Sequence, residues 1–255
     1  MDSASTTVLL IGHGSRKPAS NDAVREFMSL LQTRFPNYRM RLCFIEFADV
    51  LLDEGLEQAA NESTHVIIVP LMLGAAGHVN SEIPKHVNAA KKRHQHVRFV
   101  ISKHLGAGLE VLQALLQQMN RATPHIEKPS PTSAILLARG SSDMVANGEP
   151  AKMAHWVFES SQCAMVDAAF SGLTTPTLET VVKRQILCGM QRIIILPYYL
   201  FTGVLITRIA RQVQQLRLHY STTVFDLADP IAFSDSIYTL VHQRILEYSL
   251  LELPG

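Results

Sequence analysis

At 255 residues the chain is long enough to bury a large core in one or two domains. Hydrophobic residues make up 47% and charged residues 18%, a balance that excludes an intrinsically disordered chain. Lys and Arg number 23 against 22 Asp and Glu, for a formal net charge of +1; with no basic excess and no long Lys/Arg run, no nucleic-acid partner is expected.

Other classes fall away on local features. The three cysteines, Cys43, Cys163 and Cys188, are widely spaced and form no CxxC pair, which argues against a zinc ribbon, an iron–sulfur site or a disulfide framework. The longest apolar stretch, from Ile193 to Ile206, is broken by Pro197 and Gly203 and is too short to span a membrane. The N-terminal segment has no basic residue before its short apolar run, so no secretory signal and a cytoplasmic location are expected.

In chain order, residues 7–11 (TVLLI) read as a strand ending at Gly12, and 22–35 carry helical periodicity up to Pro36-Asn37. Residues 41–45 read as a second strand and 51–62 as a helix. Residues 65–71 (HVIIVPL) are nearly continuous in apolar character, as expected of a strand covered on both faces. A helix over 81–93, a strand over 97–101 and a helix over 108–119 complete the first half. Residues 121–132 (RATPHIEKPSPT) are polar and Pro-rich and read as a linker between domains 1–120 and 133–255. The plan then repeats: strands over 133–138, 164–169, 192–197 and 222–225, with helices over 148–160, 178–189, 205–216 and 234–250. Such alternation implies an α/β fold with parallel sheets.

The halves also match in detail. Leu10-Ile11-Gly12-His13-Gly14-Ser15 aligns with Leu136-Leu137-Ala138-Arg139-Gly140-Ser141, and Phe44-Ile45-Glu46 with Phe170-Ser171-Gly172 at the same spacing. Val69-Pro70-Leu71 aligns with Leu196-Pro197-Tyr198 after a one-residue shift. Three landmarks in one order point to internal duplication.

In a doubly wound sheet, ligands bind beyond the carboxyl ends of the strands. The first half places His13, Glu46 and His78 after its first, second and third strands. Singly, each has an ordinary structural reading, as a cap, a surface ion pair or a loop residue. Jointly, two imidazoles and a carboxylate suit Co²⁺, Fe²⁺ or Zn²⁺ with coordination positions left open. The second half carries Arg139, Gly172 and approximately Val204 at the equivalent positions, so the ligand set belongs to one half only. The remaining histidines, including those of KHVNAAKKRHQHVR, read as packing or solvated residues.

These segments resemble the sirohydrochlorin chelatases, the cobalt- and iron-inserting members of the class II chelatases. The carriers are GHGSR (12–16), FIEFAD (44–49), EGL (54–56) and PLMLGAAGHVNSEIP (70–84), with ARGSSD (138–143) and PYYLFTGVLITRI (197–209) matching two-domain members. The resemblance implies two flavodoxin-like domains facing a central cleft that holds the macrocycle. It also implies that His13 and His78 bind the substrate metal and accept pyrrole protons, with Glu46 assisting. The implied reaction is insertion of Co²⁺ or Fe²⁺ into sirohydrochlorin in cobalamin or sirohaem biosynthesis.

A polycarboxylate macrocycle calls for basic partners, and Arg16, Arg139, Arg208 and Arg211 are candidates for bidentate grip. Ser15 and Ser141, in the turns that open into helices, are candidates for the same substrate. No ATP is expected, because no GxxxxGK[ST] loop occurs. No iron–sulfur cluster is expected either, since the cysteine-bearing and His-rich additions of longer relatives find no counterpart in this sequence. Two alternatives stay open: a non-catalytic tetrapyrrole or metal carrier, and, less well matched, a histidine phosphatase.

Overall fold

The computed structural model describes residues 6–74, 77–123 and 131–249. The first half runs β1 (Thr6–Gly12), α1 (Pro18–Arg34), β2 (Arg39–Phe44), α2 (Leu52–Glu62), β3 (His65–Pro70), a π-helical turn (His78–Glu82), α3 (Ile83–Arg93), β4 (Arg98–Ile101) and α4 (Leu109–Ala122). The second half runs β5 (Thr132–Ala138), α5 (Met144–Ser160), β6 (Met165–Phe170), α6 (Leu178–Leu187), β7 (Arg192–Pro197), α7 (Val204–His219), β8 (Val224–Leu227) and α8 (Asp235–Ser249).

The strands form two all-parallel sheets, ordered β2-β1-β3-β4 and β6-β5-β7-β8. Registers repeat as the order does: Leu10 faces Leu42 and Val69, and Leu136 faces Ala168 and Leu196. In each sheet the winding reverses between the two central strands, the position at which open α/β sheets leave room for a ligand.

The central strands are apolar because helices cover them on both sides. Leu9, Ile11 and Ile68 pack with Leu56 and Ala59 of α2 and with Val87 and Ala90 of α3. In the second sheet, Ile135, Leu137 and Ile195 pack with Val181 and Val182 of α6 and with Ile209 and Val213 of α7. Fully burying each such Leu, Ile or Val contributes about 1.5–3 kcal/mol. Cys43 lies inside the first core, where burial pushes its thiol up to about 12 and leaves it unreactive.

The two compact units are not consecutive stretches of chain. Among the described residues, one unit joins the chain up to Gly106 with the chain from Tyr238 onward, and the other runs from Ala107 to Ile237. The last helix of each half thus completes the other half's unit. In the first unit, Tyr238 of α8 stacks on Phe27 at 4.8 Å and His242 stacks on Phe35 at 4.0 Å. Arg244 donates from Nε to the His104 carbonyl at 3.2 Å and from Nη2 to the Leu105 carbonyl at 3.1 Å. In the second unit, α4 packs on α5 and β7, and Lys152 Nζ donates to the Ala107 carbonyl at 3.0 Å.

Two helices begin earlier than periodicity indicates. α1 starts at Pro18 rather than at residue 22, because proline suits the first helical position and loses no needed N–H there. α5 starts at Met144 rather than at residue 148, because the Asp143 carboxylate accepts the Val145 N–H at 2.9 Å. The linker expected over 121–132 falls largely on 124–130, outside the described residues, between the end of α4 and Thr132 in β5.

Candidate functional site

At the carboxyl end of the first sheet, the turn after β1 and the turn after β2 are stitched together by backbone hydrogen bonds. The Ile45 N–H donates to the Gly12 carbonyl and the Glu46 N–H to the His13 carbonyl, both at 3.1 Å. Gly14 adopts φ +88°, and a Cβ there would lie 1.6 Å from the Glu46 carbonyl oxygen, so only glycine permits this closeness. The Asn21 carboxamide, reaching up from α1, donates to the carbonyls of Ser15 and Phe47 at 2.9 Å each. Phe47 itself has φ +53°.

The brace holds His13 Nδ1 3.6 Å from Glu46 Oε1, with the side chains 38% and 41% exposed. Nδ1 also lies 3.2 Å from the Gly14 carbonyl. Two donors about 2.1 Å from one ion stand about 3.4 Å apart at a tetrahedral angle. The observed span therefore fits a divalent cation held by both, with positions left over. His78 opens the π-helical turn before α3; its side chain lies outside the described part of the structure. Among the described residues, no three His, Cys, Asp or Glu side chains gather as a closed metal site.

The second sheet repeats the stitching with other side chains. The Ser171 N–H donates to the Ala138 carbonyl at 2.8 Å. Gly140 has φ +86°, with a would-be Cβ 2.3 Å from the Gly172 carbonyl oxygen. Asn147 reciprocates with Ser141, accepting its N–H and donating to its carbonyl, both at 2.8 Å. Leu173, at φ +64°, takes the place of Phe47. Where the first unit presents imidazole and carboxylate, this one presents Arg139, Ser171 and Tyr199, the last two joined by a 2.8 Å hydrogen bond between hydroxyls.

The basic candidates differ in surroundings. The Arg16 guanidinium lies over the Phe47 ring, 4.6 Å from its centre, beside the His13 turn. Arg139, Arg208 and Arg211 are exposed and have no ion-pair partner among the described residues. Arg139 and Arg208 both lie close enough to Tyr199 for their charges to act on its phenol. Arg211 is not among the charges that act on that phenol. The Ser15 and Ser141 hydroxyls accept backbone N–H groups two residues on, from Lys17 at 3.1 Å and Asp143 at 3.0 Å, so each shapes its turn. Asn21, Asn147, Ser171 and Tyr199 were not among the sequence candidates. The two asparagines sit at matching positions of the duplicated halves, and that coincidence is the signal that would have found them.

Other histidines have local uses. His86 meets Asp53 at 2.7 Å and His94 meets Glu57 at 2.7 Å, both across α2 and α3. His155 faces Glu159 one turn along α5 at 3.4 Å.

Fold and site define a duplicated, doubly wound α/β protein whose first unit carries an imidazole–carboxylate pair at the switch point of its sheet. The family model CbiX matches residues 7–122 and again 133–248, and the chain belongs to that family. A sirohydrochlorin cobaltochelatase of Priestia megaterium is 33% identical over 244 residues, covering 94% of this chain and 79% of that protein. A sirohydrochlorin ferrochelatase of Bacillus subtilis (strain 168) is 27% identical over 213 residues, covering 83% of this chain and 80% of that one. The solved structure of SirB from Bacillus subtilis with Fe³⁺ superposes with a TM-score of 0.79 at 26% identity, covering 95% of both chains.

Proposed function

We propose that this chain is a sirohydrochlorin chelatase that inserts a divalent metal, Co²⁺ or Fe²⁺, into the metal-free macrocycle. The observation that carries the reading is the His13–Glu46 pair, 3.6 Å apart at the switch point of the first sheet, in a chain 33% identical over most of its length to a sirohydrochlorin cobaltochelatase.

Insertion exchanges one M²⁺ for the two inner N–H protons of the ring. His13 and Glu46 hold the ion through one nitrogen and one oxygen, and His78 supplies a second imidazole from the turn before α3. Such incomplete coordination lets ring nitrogens replace protein ligands one at a time, whereas a closed four-ligand site would retain the ion. As imidazole releases metal, its nitrogen becomes a base for a pyrrole N–H near neutral pH. The Glu46 carboxylate steadies the imidazolium so formed and takes the second proton. Arg16, Arg139, Arg208 and Arg211, with the turns at Ser15 and Ser141, are assigned to the peripheral carboxylates. The reaction as proposed uses no ATP and no iron–sulfur cluster, and takes place in the cytoplasm. Among the described residues, no helix is long and apolar enough to cross a membrane.

The test is an anaerobic assay following sirohydrochlorin absorbance on adding Co²⁺ or Fe²⁺, with protein far below substrate. Many turnovers per chain are expected over the uncatalysed rate. A spectral change that stops at one equivalent of protein would instead identify a carrier.

A further inference from the structure

The tip of the second sheet holds a polar group that packing does not require. β6, β5 and β7 are neighbours, and the residues just past their ends are Ser171, Arg139 and Tyr198-Tyr199. The Ser171 N–H bonds the Ala138 carbonyl at 2.8 Å and the Tyr198 N–H bonds the Leu137 carbonyl at 2.9 Å, so the three strand ends are pinned side by side. The Tyr199 ring packs against the second core, a place a phenylalanine would fill equally well. Its hydroxyl meets Ser171 Oγ at 2.8 Å. Arg139 and Arg208 lie near it, and neither has an ion-pair partner among the described residues. By contrast, Arg184, Arg192 and Arg244 sit 2.6 Å from Asp167, Asp226 and Glu247. Two arginines without acid partners among the described residues thus stand beside a phenol–hydroxyl pair.

We propose that Tyr199 and Ser171, flanked by Arg139 and Arg208, form a carboxylate-recognition site that reads an acidic side chain of the tetrapyrrole and sets its selectivity for acidic macrocycles. The identity of that ligand rests on the chelatase reading; the receptor chemistry does not. Ser171 donates to the phenolic oxygen, and the phenol O–H donates in turn to a carboxylate oxygen. For that the phenol must stay protonated. Burial pushes Tyr199 above the usual phenol range, and the Ser171 hydrogen bond and the charges of Arg139 and Arg208 pull it part of the way back. The net shift is upward, so at neutral pH the group is a neutral donor and does not repel an anion. The guanidiniums supply the charge. A site built to satisfy a polar group rejects a ligand lacking it, because its own donors are then left unpaired.

The sheets place this group where the first unit has its metal pair: Arg139 answers to His13, Ser171 precedes the residue answering to Glu46, and Tyr199 stands in the segment answering to Pro70–Met72. Duplication thus yields a cation-binding tip and an anion-binding tip on one scaffold.

The experiment measures binding of metal-free sirohydrochlorin and of its fully methyl-esterified form by fluorescence, in wild type, Tyr199→Phe and the double variant Arg139→Gln/Arg208→Gln. Wild type is expected to prefer the free acid. Tyr199→Phe should lose about tenfold in acid affinity, and the double variant about a hundredfold, from loss of charge-assisted hydrogen bonds. Ester affinity should fall by less than acid affinity in both, because an ester carbonyl accepts only neutral-strength hydrogen bonds, and Co²⁺ binding by the protein alone should be unchanged. Equal acid affinity in all three proteins, or a parallel loss for acid and ester, would overturn the site. Multiple-turnover insertion without acid-over-ester discrimination would overturn the site alone, and discrimination without turnover would overturn the chelatase reading alone.

Discussion

The two sheet tips share a backbone and differ in chemistry. Both have a left-handed glycine pressed against a carbonyl of the neighbouring turn, Gly14 on Glu46 and Gly140 on Gly172. Both have an asparagine from the following helix bonded to the serine turn, Asn21 to Ser15 and Asn147 to Ser141. One tip then presents His13 and Glu46, the other Arg139, Ser171 and Tyr199. Backbone bracing is therefore separable from what the brace displays. On the proposed assignment, a duplicated domain keeps its turn geometry while one copy takes a cation and the other an anion.

The sharpest way to break this contrast is to remove the first unit's imidazole. His13→Ala is expected to lower metal insertion by about 10²–10⁴-fold, the usual contribution of a positioned base, and more where metal capture is limiting. Arg139→Gln should leave the maximal rate near wild type and raise KM for the tetrapyrrole. Initial rates at limiting and saturating metal distinguish the two; an undiminished rate in His13→Ala would erase the division of labour.

The shared brace makes a smaller, paired prediction. Removing either asparagine leaves part-buried backbone groups without these partners and should cost about 0.5–1.5 kcal/mol of stability per hydrogen bond lost. Asn21→Ala should also lower kcat, by loosening the His13–Glu46 pair. Asn147→Ala should act on KM. Thermal melts with kinetics for both variants check the pairing, and a kcat effect from Asn147→Ala would blur the contrast.

The smallest effect concerns the helices that complete each unit. In the first unit His242 of α8 stacks on Phe35, with its Nε2 3.5 Å from the Tyr38 hydroxyl. Burial lowers its pKa below the ordinary value. The unfolded chain therefore binds the proton first as pH falls, and the His242 contribution to stability, complete above about pH 6.5, declines as pH drops toward the folded pKa. His242→Phe keeps the stack and should flatten the wild-type loss of melting temperature between pH 7 and 5. An identical slope in both proteins would exclude this histidine as a source of acid sensitivity.

Much of this was legible in the sequence for a simple reason. Continuous apolar runs such as HVIIVP mark strands buried on both faces, and strand ends are where a doubly wound sheet offers a ligand site, so His13, Glu46 and His78 stand out as candidates. Helix starts were less visible, because a capping Asp143 or a leading Pro18 extends a helix beyond its apolar periodicity. The π-helical turn at His78–Glu82 has no such signature. Neither do contacts across long sequence separations: Asn21 reaches a carbonyl 26 residues away, and Ser171 meets Tyr199 across 28. The exchange of α4 and α8 between units leaves no local trace, since each helix reads as amphipathic whichever core it covers.

The claim that matters most is that metal enters through the imidazole–carboxylate pair of the first unit. It is tested most directly by titrating the metal-free protein with Co²⁺ under anaerobic conditions and following the ligand-field absorption. Wild type and Arg139→Gln/Arg208→Gln should take up one equivalent with the same spectrum. His13→Ala should lose that uptake and Glu46→Gln should weaken it. Unchanged uptake by a folded His13→Ala protein would contradict the proposal.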